Sequence, residues 1–379
     1  MPSTPPSSFV NIPLTPPPTN EKPDTQADRV ITLFREIQAG KHSNQDPWTE
    51  IQLKPGDIDK LERLLKQNEE LQGFVKDKIR YDYDAEKHQL VIRMPTAVHE
   101  LFIARIEDSV LSQLKIIREG SDDAAAFAQK VNAARSTEIR FPATDDSSGN
   151  RSKHEPDASF WHDKAQYPGV IIEVAYSQKK TRLHRLAEKY LLDSDASVQV
   201  VVGFDIRYGV KESLEATLSV WRPQFHQTND GVELRVVEEV ADEVYLLSVK
   251  VGFSANVSLQ AFRDEQGNHT NHPGLRLQLS DFACEELTKD VEGRREIIVS
   301  TPELCKYLSA AESKMCQGAS LVRHSIPAGV QKRKRSETPP EVIGSGDEAR
   351  YVQEVEREAK RAAVDDPDYK NTSSSSFSE

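Results

Sequence analysis

The chain is poor in the residues that would give an easy answer. Three cysteines in 379 residues, Cys284, Cys305 and Cys316, form an odd set without CxxC spacing. That argues against both a disulfide framework and a zinc site, and suits a reducing compartment. No apolar run approaches the ~18 residues of a membrane span. The first residues, MPSTPPSSFVNIPLTPPP, lack the charged start and apolar centre of a secretory signal. Apolar residues make up only 37% and mean hydropathy is −0.60, which predicts a globular centre with polar tails rather than a core running throughout. Basic excess is also missing. A formal net charge of −12 excludes a surface coated for nucleic acid, although a local basic patch remains compatible with it.

What is present begins with two tails. Residues 1–24 are rich in Pro, Ser and Thr, and 318–379 are polar with a basic cluster, Lys332 to Arg335; both are expected to be disordered. That cluster resembles a short nuclear-localisation signal, which favours an intracellular, nuclear placement, and the tails offer sites for protein partners. Between them, residues 25–317 are expected to form one domain. Val30, Ile31, Phe34 and Ile37 mark a first helix, and Ile58 to Leu71 mark a second after Pro55-Gly56. Alternation through Ile79, Tyr81, Tyr83 and Leu90, Ile92, Met94 predicts a β-hairpin. Thr96 caps a long helix carrying Phe102, Ile106, Val110 and Leu114. An Ala-rich helix at 122–135, a strand at 138–141 and a loop at 144–153 follow. Later strands are expected at 198–206, 214–221, 232–238, 243–249 and 275–280, and a last helix from Thr301 to about Lys314.

The chemistry concentrates between His154 and Lys189. Asp157 opens one apolar run, and Glu173 sits inside a second, Val170 to Ala175. A carboxylate in a buried strand is costly unless paired. If the two strands pair antiparallel, the acids converge, and a hard divalent cation, Mg²⁺ or Mn²⁺, suits such a pair. Lys179, Lys180, Arg182, His184 and Arg185 then crowd the start of a helix, where the macrodipole disfavours cations. An anionic partner is the compensation this predicts, with a nucleic-acid backbone first in line. His154, His162 and His184 lack metal-ligand spacing and read as surface histidines. His99 reads as a neighbour of the helix cap.

The run HEPDASF…YPGVIIEVAYSQ, followed by a helix with Lys189-Tyr190 and then VQVVVGFDI, resembles the PD-(D/E)XK nuclease superfamily. It is most similar to a bacterial endonuclease-like branch with a PD…EV-x-S pattern and to fungal proteins with an EVAYSQ-like signature. The likeness covers roughly residues 94–206. It implies an α/β fold: a restriction-endonuclease-like mixed sheet with an αβββαβ core, N-terminal helices and a β-rich C-terminal extension. It also implies Asp157, Glu173, the main-chain carbonyl of Val174 and Glu100 as metal ligands. The motif lysine two residues after the glutamate is Ala175 here. Lys189 matches the lysine that related branches place on the following helix, and Lys179 and Gln178 are rivals nearer the strand end. The activity implied is metal-dependent phosphodiester hydrolysis. The alternatives are a catalytically inactive module of the same fold that binds nucleic acid or protein, and a scaffold acting through its tails.

Overall fold

The computed structural model describes residues 25–41, 48–142, 151–176, 180–207, 213–229, 231–239, 260–289, 291 and 295–316, with 330, 353 and 357. Lys332 to Arg335, the strand at 243–249 and, apart from residues 330, 353 and 357, the expected disordered tails lie outside them. The chain divides into two units, 1–321 and 322–379, and the elements below belong to the first. The structure is mixed α/β.

The N-terminal layer packs three helices on a hairpin. Helix α1 (Gln26–Gln38) starts at a Thr25–Asp28 capping box, α2 spans Asp57–Lys66 and α3 spans Glu69–Lys78. One helix was expected through Leu71. It breaks instead at Asn68, whose side chain accepts from Leu71 N–H and starts α3. Strand β1 is Trp48–Gln52; the predicted hairpin is β2 (Arg80–Asp84) and β3 (Gln89–Arg93). Its Tyr81, Tyr83, Leu90 and Ile92 join Phe34, Leu61 and Val75 in one apolar cluster. The opposite face carries Arg80, Asp82, Asp84 and Arg93, because strand residues two apart share a face.

Thr96 caps α4 (Ala97–Arg118) as predicted, its side chain accepting from His99 N–H. The Ala-rich segment does not form a helix to 135. Helix α5 stops at Asp123–Ala128, and Val131–Ala133 becomes strand β4, since pairing with a neighbouring strand overrides alanine's helical preference. Strands β5 (Ile139–Phe141) and β6 (Ser152–His154) follow, the latter beginning in the last two residues of the stretch read as loop. Then come β7 (Ala158–His162), β8 (Val170–Tyr176), α6 (Lys180–Leu192) and β9 (Val200–Ile206). The C-terminal part adds β10 (Ala216–Thr228), β11 (Gly231–Glu238), β12 (Ala261–Arg263), β13 (Leu275–Gln278), β14 (Glu296–Val299) and α7 (Thr301–Cys316).

One sheet runs β1-β3-β2-β6-β5 and another runs β11-β10-β9-β8-β7-β4, with β12 pairing β10. In the second, β8 and β9 are parallel and joined by α6, and the neighbouring pairs are antiparallel. Both faces of β8 are covered: Val170, Ile172 and Val174 pack in the α4 cluster, and Ile171 and Ala175 in the α6 cluster. Glu173 shares the α6 face. Gly169, just before β8, lies so close to the main chain at residues 281–283 that an added Cβ would overlap it.

Candidate acidic site and its neighbouring cleft

Asp157 sits one step beyond the Ala158–Ile172 pair of the β7–β8 ladder, which brings it beside Glu173. Both are buried. The convergence expected from the antiparallel pairing is therefore present. The charge between the acids comes from inside the chain: Arg93, at the end of β3, places Nη1 2.9 Å from Glu173 Oε2 and 3.5 Å from Asp157 Oδ1. Its Nε and Nη2 reach Asp82 at 3.2 Å each, and Nη2 also donates to the main-chain oxygen of Glu155. Burial opposes the guanidinium's charge, but Asp82, Glu173 and Asp157 together raise its pKa well above the ordinary arginine value.

The two acids differ in their other partners. Asp157 Oδ2 accepts from Val174 N–H at 2.7 Å and lies 2.9 Å from His99 Nε2, while Oδ1 meets Arg80 Nη1 at 3.1 Å. Burial works against its ionisation. His99, Arg93 and Arg80 outweigh burial and hold its pKa far below the usual carboxylate range. Glu173 Oε1 accepts from Tyr190 O–H at 2.7 Å. Burial, with Asp157 and Asp82 adding to it, pushes Glu173 well above the usual range despite Arg93 and Tyr190. The environment thus splits a like-charged pair into one firm anion and one acid that readily holds a proton.

The remaining predicted residues do not assemble around this pair. Glu100 meets Arg80 Nη2 at 3.0 Å and lies 3.8 Å from His99 Nδ1, and Arg80 and His99 in turn contact Asp157. The peptide N–H of Val174, rather than its carbonyl, is the group seen on an acid. Lys189 does not reach the acids; its Nζ is 2.8 Å from Asp84 Oδ2. Arg182 pairs with Glu50 at 3.2 Å and lies over the Trp48 ring, 5.1 Å from its centre. Arg185 is exposed. Lys179 and Gln178 lie outside the described residues, and Lys180 is described only as the first residue of α6. The space beside the pair, lined by Arg93, Thr96, His99, Asp157, Glu173 and Arg182 among others, has a volume of about 40 Å³.

Arg93, His99, Arg80, Asp82 and Tyr190 are the participants that sequence reasoning missed. His99 is a direct partner of Asp157 as well as a cap neighbour. A signal did exist in the hairpin. Its register sets Arg80 opposite Arg93, and like charges across a strand pair are unfavourable unless acids lie between them.

Next to this pair lies a larger cleft of about 480 Å³, sharing Trp48, Arg182 and Leu186 with the first space. It contains His154, which is buried rather than at the surface. Its ring packs against Tyr190 at 5.4 Å and Phe141 at 5.9 Å. His162 is buried too, stacked on Phe127. No protein-family model matches the chain, and no curated protein matches it. Among the described residues, no group of three or more His, Cys, Asp or Glu is placed to hold a metal ion, and no helix is long and apolar enough to cross a membrane.

Proposed function

We propose that this chain is a restriction-endonuclease-like module that binds a nucleic-acid backbone beside an acidic pair neutralised by Arg93 instead of by a divalent ion. The observation carrying this is the single guanidinium nitrogen that meets both Glu173 and Asp157. The order α4, β4, β7, β8, α6, β9 reads αβββαβ and supports the fold assignment. The metal that the resemblance implies does not fit the residues as they stand. The cation position between the acids is taken by Arg93, and Glu100 is paired with Arg80 instead of facing the acids. With Ala175 at the motif position and Lys189 tied to Asp84, neither residue brings an ammonium to the acids. Exposed Arg185 and the half-exposed Arg182 supply the cationic rim.

The second reading, metal-dependent cleavage of nucleic acid, draws its support from the convergence of Asp157 and Glu173. One experiment separates the two. Wild type, Asp157→Ala and Glu173→Ala are incubated with DNA and RNA in Mg²⁺ or Mn²⁺, and Mn²⁺ is titrated calorimetrically into wild type. The binding-module reading expects no cleavage, a silent titration, and binding that weakens steeply with salt and further in Arg185→Glu. Metal-dependent cleavage lost in both acid variants would replace it with the nuclease reading.

A further inference from the structure

Strand β11 (Gly231–Glu238) ends its sheet: β10 is its neighbour on one side, and no described strand lies on the other. The ladder fixes which groups face that open side. Glu239 N–H donates to Val220 O, so in this stretch the odd-numbered residues turn their peptide groups towards β10. Val232, Leu234 and Val236 therefore turn theirs outward. A row of unpaired N–H and C=O groups is a template for another strand, and sheets usually blunt it with proline, lysine, a bulge or a cover. The free stretch of β10 beyond the Trp221–Val201 pair has such a guard, because Pro223 brings no N–H to it. Strand β11 has no proline and no lysine, and its register with β10 is unbroken along its whole length.

The side chains of β11 are as open as its backbone. Val232 is 64% exposed, and Phe225, opposite Leu234 on β10, is 65% exposed. They share one face with Val236, which packs against the α6 cluster. The other face carries Glu233 and Arg235, both about half exposed and paired with each other at 2.6 Å.

The order Val232-Glu233-Leu234-Arg235-Val236 complements itself when read backwards. In an antiparallel pair of two such strands centred on Leu234, Glu233 faces the partner's Arg235, Val232 faces the partner's Val236, and the two leucines meet. The opposite charges meet twice, in the non-hydrogen-bonded positions where side chains come closest. A shift of two residues is the smallest that keeps the outward peptide groups facing each other. It sets Glu233 against Glu233 or Arg235 against Arg235, so the charges select one register.

We propose that β11 is a homodimer edge, on which two copies of the chain pair antiparallel about Leu234 and share one continuous sheet across a two-fold axis. The contact is isologous, as most closed dimers are, and it stands apart from the nucleic-acid reading. A single strand pair is a small interface, so association is expected at micromolar rather than nanomolar concentration.

Sedimentation velocity of the full chain over about 1–100 µM tests it. Wild type should pass from monomer to dimer across that range. Glu233→Arg and Arg235→Glu each put like charges at both contacts and should weaken dimerisation about tenfold or more. Both positions are exposed, and far-UV circular dichroism should show each variant folded as wild type. An equimolar mixture of the two variants should dimerise again, because each copy then meets opposite charges. Val232→Pro removes an outward N–H without touching the β10 ladder, and it should abolish the dimer independently of charge. A wild type that stays monomeric throughout overturns the homodimer and leaves the edge to another segment of this chain. A dimer that survives Val232→Pro or both charge variants lies elsewhere on the surface and overturns it too. Monomeric charge variants whose mixture stays monomeric overturn the pairing about Leu234.

Discussion

The acidic pair and the cleft beside it share Trp48, Arg182 and Leu186 but solve the burial of polar groups in opposite ways. Around Asp157 and Glu173 the chain supplies every carboxylate oxygen with a partner of its own: Arg93, Arg80, His99, Tyr190 or the Val174 amide. At His154 it supplies none. A finished polar network stabilises and specifies a fold, whereas an unfinished one costs stability and is retained where something else completes it. Each carboxylate of the acidic pair is therefore closed by the protein, with His99 Nδ1 and Arg93 Nε left without a hydrogen bond, whereas at His154 both ring nitrogens lack one among the described residues.

The largest effect is expected from Arg93→Met. It leaves Asp82, Asp157 and Glu173 buried without their shared cation, and breaking such a set costs about 3–5 kcal/mol. Urea denaturation should show that loss. Arg93→Lys should recover little of it, because one ammonium cannot reproduce the fork that spans three carboxylates. Wild type should show no rise in its urea midpoint on adding Mn²⁺. A rise would mean that the acidic pair was not finished by the chain after all.

His154 should respond to pH rather than to loss of packing. Its folded pKa is depressed to about 4, with burial as the main cause, from an ordinary value of 6.5. Between those values the unfolded chain binds more protons than the folded one, so stability is full above about pH 6.5 and falls as the pH drops towards 4. The shift corresponds to at most about 3 kcal/mol. His154→Phe should flatten this limb of the stability curve and match or exceed wild type at pH 7, since it removes unpaired polar atoms. A variant as acid-sensitive as wild type would show the acid limb to come from elsewhere.

These groups also mark how far the sequence could be read. Period-2 alternation placed the β2–β3 hairpin, the Thr96 cap placed α4, and the β-branched run at 198–206 placed a doubly buried strand, because each is a local pattern. Strand β4 and the Asn68 break were missed where a tertiary partner or a single cap outweighed propensity. The two acids were legible because an acid inside an apolar run is anomalous on its own. Their cation was not: Arg93 is 80 residues from Glu173, and only the hairpin register brings it there. His154 was hidden for a different reason. Ser152 and Lys153 read as the end of a polar loop and His154 as a surface histidine, yet all three are buried, in β6 between β2 and β5.

Tyr190→Phe tests the finished site from its other side. The hydroxyl donates to Glu173 Oε1, and losing a buried hydrogen bond to a carboxyl costs about 1.5–3 kcal/mol. Since Glu173 already favours holding a proton, a neutral glutamic acid tolerates the loss better than a carboxylate, and the effect should fall at the lower end. Stability at neutral pH reports it. A loss as large as that of Arg93→Met would put the tyrosine, not the arginine, at the centre of the network.

The smallest effect is expected at Lys189, the residue nearest to a motif lysine. Its Nζ is 2.8 Å from Asp84 Oδ2, at the edge of the open cleft. Burial works against Asp84's charge, but Lys189 and the Lys87 amide hold its pKa below the usual value. In Lys189→Met that amide remains, and the cleft admits water to the freed carboxylate. A double-mutant cycle of Lys189→Met with Asp84→Asn should therefore give a coupling of about 1 kcal/mol or less, as for partly exposed pairs. A coupling near that of a buried pair, about 3 kcal/mol or more, would make Lys189 part of the finished network. It would then move the boundary between the two sites from Arg182 to Asp84.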